Sequence, residues 1–185
     1  MHLNLKIDKK EHKQAQVWVE TVIYTLIGLS IIGLLLAVSR PKINSIKDQI
    51  AIEQTIEILN KIDSKIYEVQ KAPGNKRILE LKISKGTLTI DAKNEQIFWK
   101  MNSRYEYSQP GENIPVGNLI ILTETAVDSW DVLITLNYSD KNFNFTYAGE
   151  NAKKEIDSAP TSYYISLENL GVDSNNKILV DFNEN

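Results

Sequence analysis

Val22 to Val38 reads VIYTLIGLSIIGLLLAV, seventeen residues without a charge. Coiled as a helix at ~1.5 Å per residue, it spans ~26 Å, just short of a ~30 Å hydrocarbon core. Val17, Trp18 and Val19 complete a span but enclose Glu20. Upstream lies MHLNLKIDKKEHKQA, with four lysines against Asp8 and Glu11; downstream come Arg40, Pro41 and Lys42. Three explanations compete. A buried core helix needs a domain that surrounds a segment apolar on every side, and 185 residues give one ordinary domain plus an accessory segment. A secretory signal peptide finds its small-x-small site at Ala37-Val38-Ser39, but the run exceeds the usual ~7–15 residues. A retained membrane helix is the third, and the residues that follow favour it.

Beyond Pro41 the apolar residues fall at Ile43, Ile46, Ile50, Ile56, Leu59, Ile62, Ile66 and Val69. These steps describe one stripe of an amphipathic helix, with Asp, Glu, Lys and Gln on the other faces. Pro41 is expected to bend the helix without ending it, and Ala72-Pro73-Gly74 to stop it. After Gly74 the period changes to two. Arg77–Ile83 and Thr87–Asp91 alternate about Lys85-Gly86, with further strands expected at 96–101, 104–107, 118–124, 130–138, 142–147, 162–168 and 177–182. Pro110-Gly111, Ser139-Asp140, Ala148-Gly149 and Ser174-Asn175-Asn176 supply turns, and short turns imply antiparallel pairing. The expected fold is α+β: a long N-terminal helix, half membrane-spanning and half amphipathic stalk, packed on a C-terminal antiparallel β-rich head. The expected divisions are 1–15, 16–72 and 73–185.

Composition narrows the function. A net charge of −3 argues against a nucleic-acid partner, because phosphate neutralisation needs a basic surface. The chain has no cysteine, and its two histidines, His2 and His12, both precede the apolar run. Thiolate zinc sites and Cys nucleophiles are excluded, and the head has no His for acid–base work. No enzyme, cofactor or small-molecule substrate is expected. Asp128 and Asp131 around Trp130, and Asp173 before a loop, fall short of a metal pattern. Asn75-Lys76-Arg77 lacks the glycine spacing of a phosphate loop.

The informative window is Lys13-Gln14-Ala15-Gln16-Val17-Trp18-Val19-Glu20. A basic leader meets a small residue, then Gln, then an apolar run with Glu four places after the Gln. This resembles the class III signal peptide of archaeal type IV pilins and archaellins. The resemblance carries motif-level likeness over about twenty-five residues and likeness of layout over the whole chain. It implies cleavage between Ala15 and Gln16, making Glu20 the fifth residue of the mature chain. Two departures stand out: Gln14 separates Lys13 from Ala15, and Trp18 stands where the family often has a small polar residue. The resemblance further implies a cell-surface filament subunit. Its partners would be copies of itself, a prepilin peptidase, an assembly platform and the membrane.

Glu20 also stands out on physical grounds. A carboxylate in an apolar segment costs roughly 2.5–3.5 kcal/mol on insertion scales, and such groups usually have a partner. The resemblance supplies one, the Gln16 ammonium of a neighbouring subunit. The plainer alternative puts Glu20 at headgroup level beside Trp18, an aromatic-belt residue. Gly33 and Ala37 make a small-xxx-small pair that lets helices approach, a common pairing in membrane helices. Asn137-Tyr138-Ser139 and Asn144-Phe145-Thr146 are two sequons within a short stretch, candidates for glycosylation on an exported face. Trp99, Tyr105, Tyr107, Trp130, Tyr163 and Tyr164 are read as packing residues before a glycan-stacking surface. Two other functions stay open. One is a monomeric single-pass surface protein for binding or adhesion; the other is a secreted domain released after Ser39.

Overall fold

The computed structural model describes residues 9–184, with side chains described from Val17 onward. One helix, α1, runs Lys9–Val69 with Pro41 inside it. Proline lacks the N–H that would bond the carbonyl four residues back, yet the helix continues on either side. The boundary between two compact units falls after Ile43.

In the second unit, α1 contributes its last 26 residues and ten strands follow. They are β1 (Lys76–Leu81), β2 (Thr87–Asp91), β3 (Gln96–Ser103), β4 (Asn113–Val116), β5 (Leu119–Ala126), β6 (Ser129–Asn137), β7 (Phe143–Tyr147), β8 (Lys153–Asp157), β9 (Tyr163–Val172) and β10 (Ile178–Glu184). They form a four-stranded sheet ordered β1-β9-β10-β7 and a six-stranded sheet ordered β4-β5-β6-β3-β2-β8. Pairing is antiparallel except between β10 and β7, which run parallel with Val180 opposite Phe145. The α+β architecture expected from the pattern is present: one long helix and a β-rich domain of two sheets.

The alternation in the strands is the reason for the core. Leu119 and Ile121 on β5, Val132, Ile134 and Leu136 on β6, and Ile97, Trp99 and Met101 on β3 all point inward and are buried. The four-stranded sheet contributes Leu79, Leu81, Ile165, Leu167, Val180 and Phe182. From α1 come Ile52, Leu59, Ile62, Ile66 and Val69. Ile62 shares a cavity of about 10 Å³ with Leu81, Ile97, Leu167 and Phe182, so helix and both sheets meet around one point.

Three expected details differ. The apolar stripe divides, because Ile43, Ile46 and Ile50 are 49%, 45% and 48% exposed while Asp48, Ala51, Ile52 and Thr55 take the inward face instead. Residues 104–107 form no strand: the Arg104 amide donates to Asp48 Oδ2 (2.8 Å) and the Tyr105 amide to Ser103 Oγ (2.9 Å). Strands β4 and β8 were not expected; each is four or five residues long and lies at an edge of the six-stranded sheet.

The divided stripe gives a measurable contrast. Leu59→Ala, at a fully buried position, is expected to destabilise the domain by about 2–5 kcal/mol. Ile46→Ala should stay within about 0.5 kcal/mol. Denaturant unfolding followed by circular dichroism in a mild detergent reads both; equal losses would contradict the division.

Candidate functional site

Two regions carry features that packing does not explain. The first is the apolar segment of α1. From Val17 to Val38, fifteen large hydrophobic side chains are exposed, with Trp18 at 76% and Leu34 at 68%. None of the most apolar eighteen-residue window is buried. By length and composition the helix suffices to cross a membrane.

The threonine and serine hydroxyls in this segment are handled locally. Thr21 Oγ1 donates to the Val17 carbonyl (2.9 Å), Thr25 Oγ1 to Thr21 (2.8 Å) and Ser30 Oγ to Leu26 (2.7 Å). Each of these three hydroxyls is satisfied within the helix, as a water-free surrounding would require. Glu20 is different. It is exposed, and among the described residues no ion pair or hydrogen bond reaches it. Gly33 and Ala37 lie exposed on the same helix, and a Cβ added at Gly33 would meet nothing within 4 Å. The side chains of Ala15 and Gln16, where leader cleavage is expected, lie outside the described residues.

The second region is the inner face of α1 in the β-rich unit. Asp48, 5% exposed, accepts from Lys85 Nζ at 2.5 Å through Oδ1 and from the Arg104 amide through Oδ2. Asp63 accepts from the Tyr138 hydroxyl through Oδ1 and from Asn118 Nδ2 (2.7 Å) through Oδ2. Asn169 Nδ2 donates to the Val69 carbonyl (3.0 Å), capping the helix where its own bonds run out. Pattern reading assigns such Asp residues to a solvated face. Their partners lie 37 to 75 residues away, so no local signal marks them.

Lys85 itself is fixed by the turn that carries it. Its carbonyl accepts from Trp99 Nε1 (2.9 Å), and Gly86 follows at φ +79°. A Cβ there would come within 2.5 Å of the Lys100 carbonyl oxygen, so only glycine fits. Lys85, Gly86, Met101 and Arg104 form one wall of an open cleft of about 720 Å³, and Lys47, Asp48, Ile50 and Ala51 form the other.

The two sequons are not equivalent. Asn137 ends β6, its Oδ1 accepts from the Ser139 amide (3.0 Å), and its Nδ2 makes no hydrogen bond among the described residues. Asn144 lies inside β7 with Nδ2 donating to Asp173 Oδ2 (2.8 Å), and Thr146 Oγ1 donates to Asp181 (2.6 Å). Asp173 also accepts from the Lys177 and Asn175 amides, and these bonds, Lys177 first, hold its carboxyl below the usual range. Of the six aromatics singled out, Trp99 is fully buried, Tyr164 is half-exposed, and the others are partly buried.

Comparison with family models, curated proteins and solved structures returns no match.

Two outcomes follow from this geometry. Burial first, and the bond to Asp63 second, push the Tyr138 phenol well above its ordinary value of 10.0. The unfolded chain ionises this phenol from about pH 10 and the folded chain does not, so stability is intact below that pH and declines above it. Tyr138→Phe should lower stability at neutral pH by about 1–3 kcal/mol, since it strands an Asp63 oxygen, and should flatten the alkaline decline. Unfolding midpoints across alkaline pH check both. In a host that glycosylates sequons, Asn137→Gln should remove glycan mass and Asn144→Gln should not, as intact-mass spectrometry of the two variants would read.

Proposed function

We propose that the protein is a structural subunit of a type IV pilus-like surface filament, assembled through its apolar helix after leader removal between Ala15 and Gln16. The observation that carries this reading is the exposed apolar segment on a helix whose other end is core. A detachable anchor needs no such continuity. A subunit held in an assembly does, because load on the helix reaches the fold directly. Glu20 adds a second support: a carboxylate among apolar side chains, without a partner among the described residues, fits pairing with the Gln16 ammonium of a neighbour. Gly33 and Ala37 would let neighbouring helices approach.

In this reading the leader stays cytosolic, the peptidase acts on it, and the head is exported. The protein binds copies of itself and an assembly platform, and performs no catalysis. The competing reading is a monomeric single-pass anchor for surface binding or adhesion, which the same apolar exposure also accommodates. A cut after Ser39 would leave the unit beginning at Asn44 whole, so the mature terminus must be measured.

Mass spectrometry of membrane and filament fractions should find a chain beginning at Gln16 or its pyroglutamate. A chain retaining Met1 would favour the anchor, and one beginning at Arg40 a secreted domain. Glu20→Ala should leave cleavage and membrane retention intact while reducing filament yield at least tenfold by electron microscopy. Breaking one side of a buried ion pair costs roughly 3–5 kcal/mol. Unchanged yield would remove the pairing mechanism.

A further inference from the structure

The cleft between the first turns of the helix in the β-rich unit and the β3 end gathers positive charge in a unit that is acidic as a whole. Between Asn44 and Asn185, fifteen Lys and Arg stand against twenty-one Asp and Glu, so the unit is acidic. Most of its cations are spoken for. Lys61, Lys65, Lys76, Arg77, Lys100 and Lys153 pair with carboxylates on the surface, as do Lys154 and Lys177. Lys47 and Arg104, both exposed and both lining the cleft, make no ion pair among the described residues. Asp48 between them does not neutralise them, because Lys85 and the Arg104 amide occupy its two oxygens. Beside these cations lie Ile50, nearly half exposed, and the Met101 side of β3.

A matching surface lies on the same unit. The β5–β6 hairpin turns at Val127-Asp128, and Val127 is 91% exposed, the most exposed large hydrophobic among the described residues. Glu124 and Asp128 flank it, exposed and without a cation partner among the described residues. Glu112 joins them, since the Gly111 amide donates to the Thr123 carbonyl (2.8 Å). The register sets Ser103 opposite Trp130, so hairpin tip and Arg104 lie at the same end of β3. Copies standing side by side can therefore bring one to the other.

We propose that the cleft receives the β5–β6 hairpin of a second copy, with Lys47 and Arg104 meeting Glu124 and Asp128 while Val127 covers Ile50. The proposal rests on the filament reading and names the contact between heads that it requires. Cleft and hairpin are different surfaces, so the contact is heterologous, the class that yields an open filament when its rotation does not close a ring. Charges at such an exposed seam are screened over ~8–10 Å at ordinary salt, so the seam sets register and partner choice, and the apolar helix supplies adhesion.

The test uses full-length protein expressed in a filament-forming host, with yield counted by electron microscopy. Lys47→Glu/Arg104→Glu should lower yield at least tenfold, with leader removal, membrane retention and unfolding midpoint unchanged. Glu124→Lys/Asp128→Asn should do the same; Asn keeps the positive φ of 53° at that turn. Combining the two sets should restore at least half of wild-type yield. The milder Lys47→Gln/Arg104→Gln should give an intermediate loss, which covers the case of a reversal that fails to fold. Wild-type yield from both cleft variants would overturn the proposal and leave the filament reading standing, as would a combination no better than its parents. If that wild-type yield came with lost binding to phosphatidylserine vesicles, the cleft would be a headgroup site instead. A wild type that forms no filament would overturn both readings.

Discussion

The burial of Ile52, Leu59, Ile62, Ile66 and Val69 between two sheets is the interaction on which the β-rich unit depends. Each such side chain contributes about 1.5–3 kcal/mol on leaving water, so five together reach the order of 10 kcal/mol. That is comparable to the whole net stability of a typical domain, ~5–15 kcal/mol. Without the helix, the faces of the sheets that pack on it would be open to water. Asn169 completes the arrangement by bonding the Val69 carbonyl, while its backbone amide donates to Asn75 at 3.0 Å and its carbonyl accepts from Gly74 at 2.7 Å. One residue on β9 thus ends the helix with its side chain and fixes the turn before the first strand with its backbone.

What could be read from the sequence was what obeys a period. The alternation at Leu88–Ile90, Ile97–Met101, Leu119–Ile121 and Val132–Leu136 marks strands because a half-buried strand shows one face to the core. Short edge strands lose that signal. In β4, Asn113-Ile114-Pro115-Val116 has no buried residue and carries a proline, which an edge tolerates and a central strand does not. The β7–β10 parallel pair was equally invisible, since periodicity fixes which face is buried and says nothing of direction. On α1, steps of three and four gave a stripe, but a stripe only says that something apolar covers it. The sheets cover Leu59 to Val69 and leave Ile43, Ile46 and Ile50 open.

The site residues that went unread are polar, and the reason is general. Asp48 and Asp63 sit fifteen apart on one helix, a spacing that places them on the inward face, yet hydrophobic patterning scores them as solvent-facing. Each buried carboxylate must be repaid by donors, and here the donors come from Lys85 and the Arg104 amide in one case, Tyr138 and Asn118 in the other. These ties set the rotation of the helix against the sheets more sharply than apolar contacts do, because an unmatched buried carboxylate penalises every other register. By contrast, the reading of the window from Ala15 to Glu20 rests on residues adjacent in the chain, and the fold adds nothing to it.

The apolar segment of α1 poses the energetic question that any function must answer. Fifteen exposed large hydrophobic side chains, at about 1.5–3 kcal/mol each, amount to roughly 20–45 kcal/mol available on covering them. That gain exceeds the net stability of a typical domain, ~5–15 kcal/mol, so covering the segment is strongly favoured over leaving it in water. By its length and composition, Val22 to Val38 could be covered by lipid alone. Lipid does not supply a cation for Glu20, whose ~2.5–3.5 kcal/mol insertion penalty is small beside the apolar gain and is therefore tolerated without being relieved. Packed copies of the same helix would cover the apolar surface equally well and, if cleaved after Ala15, would bring one ammonium per carboxylate. In the proposed filament, the difference from lipid would thus be carried by a single polar pair. A transfer from one to the other can then be nearly balanced in apolar energy and still be directed by Glu20.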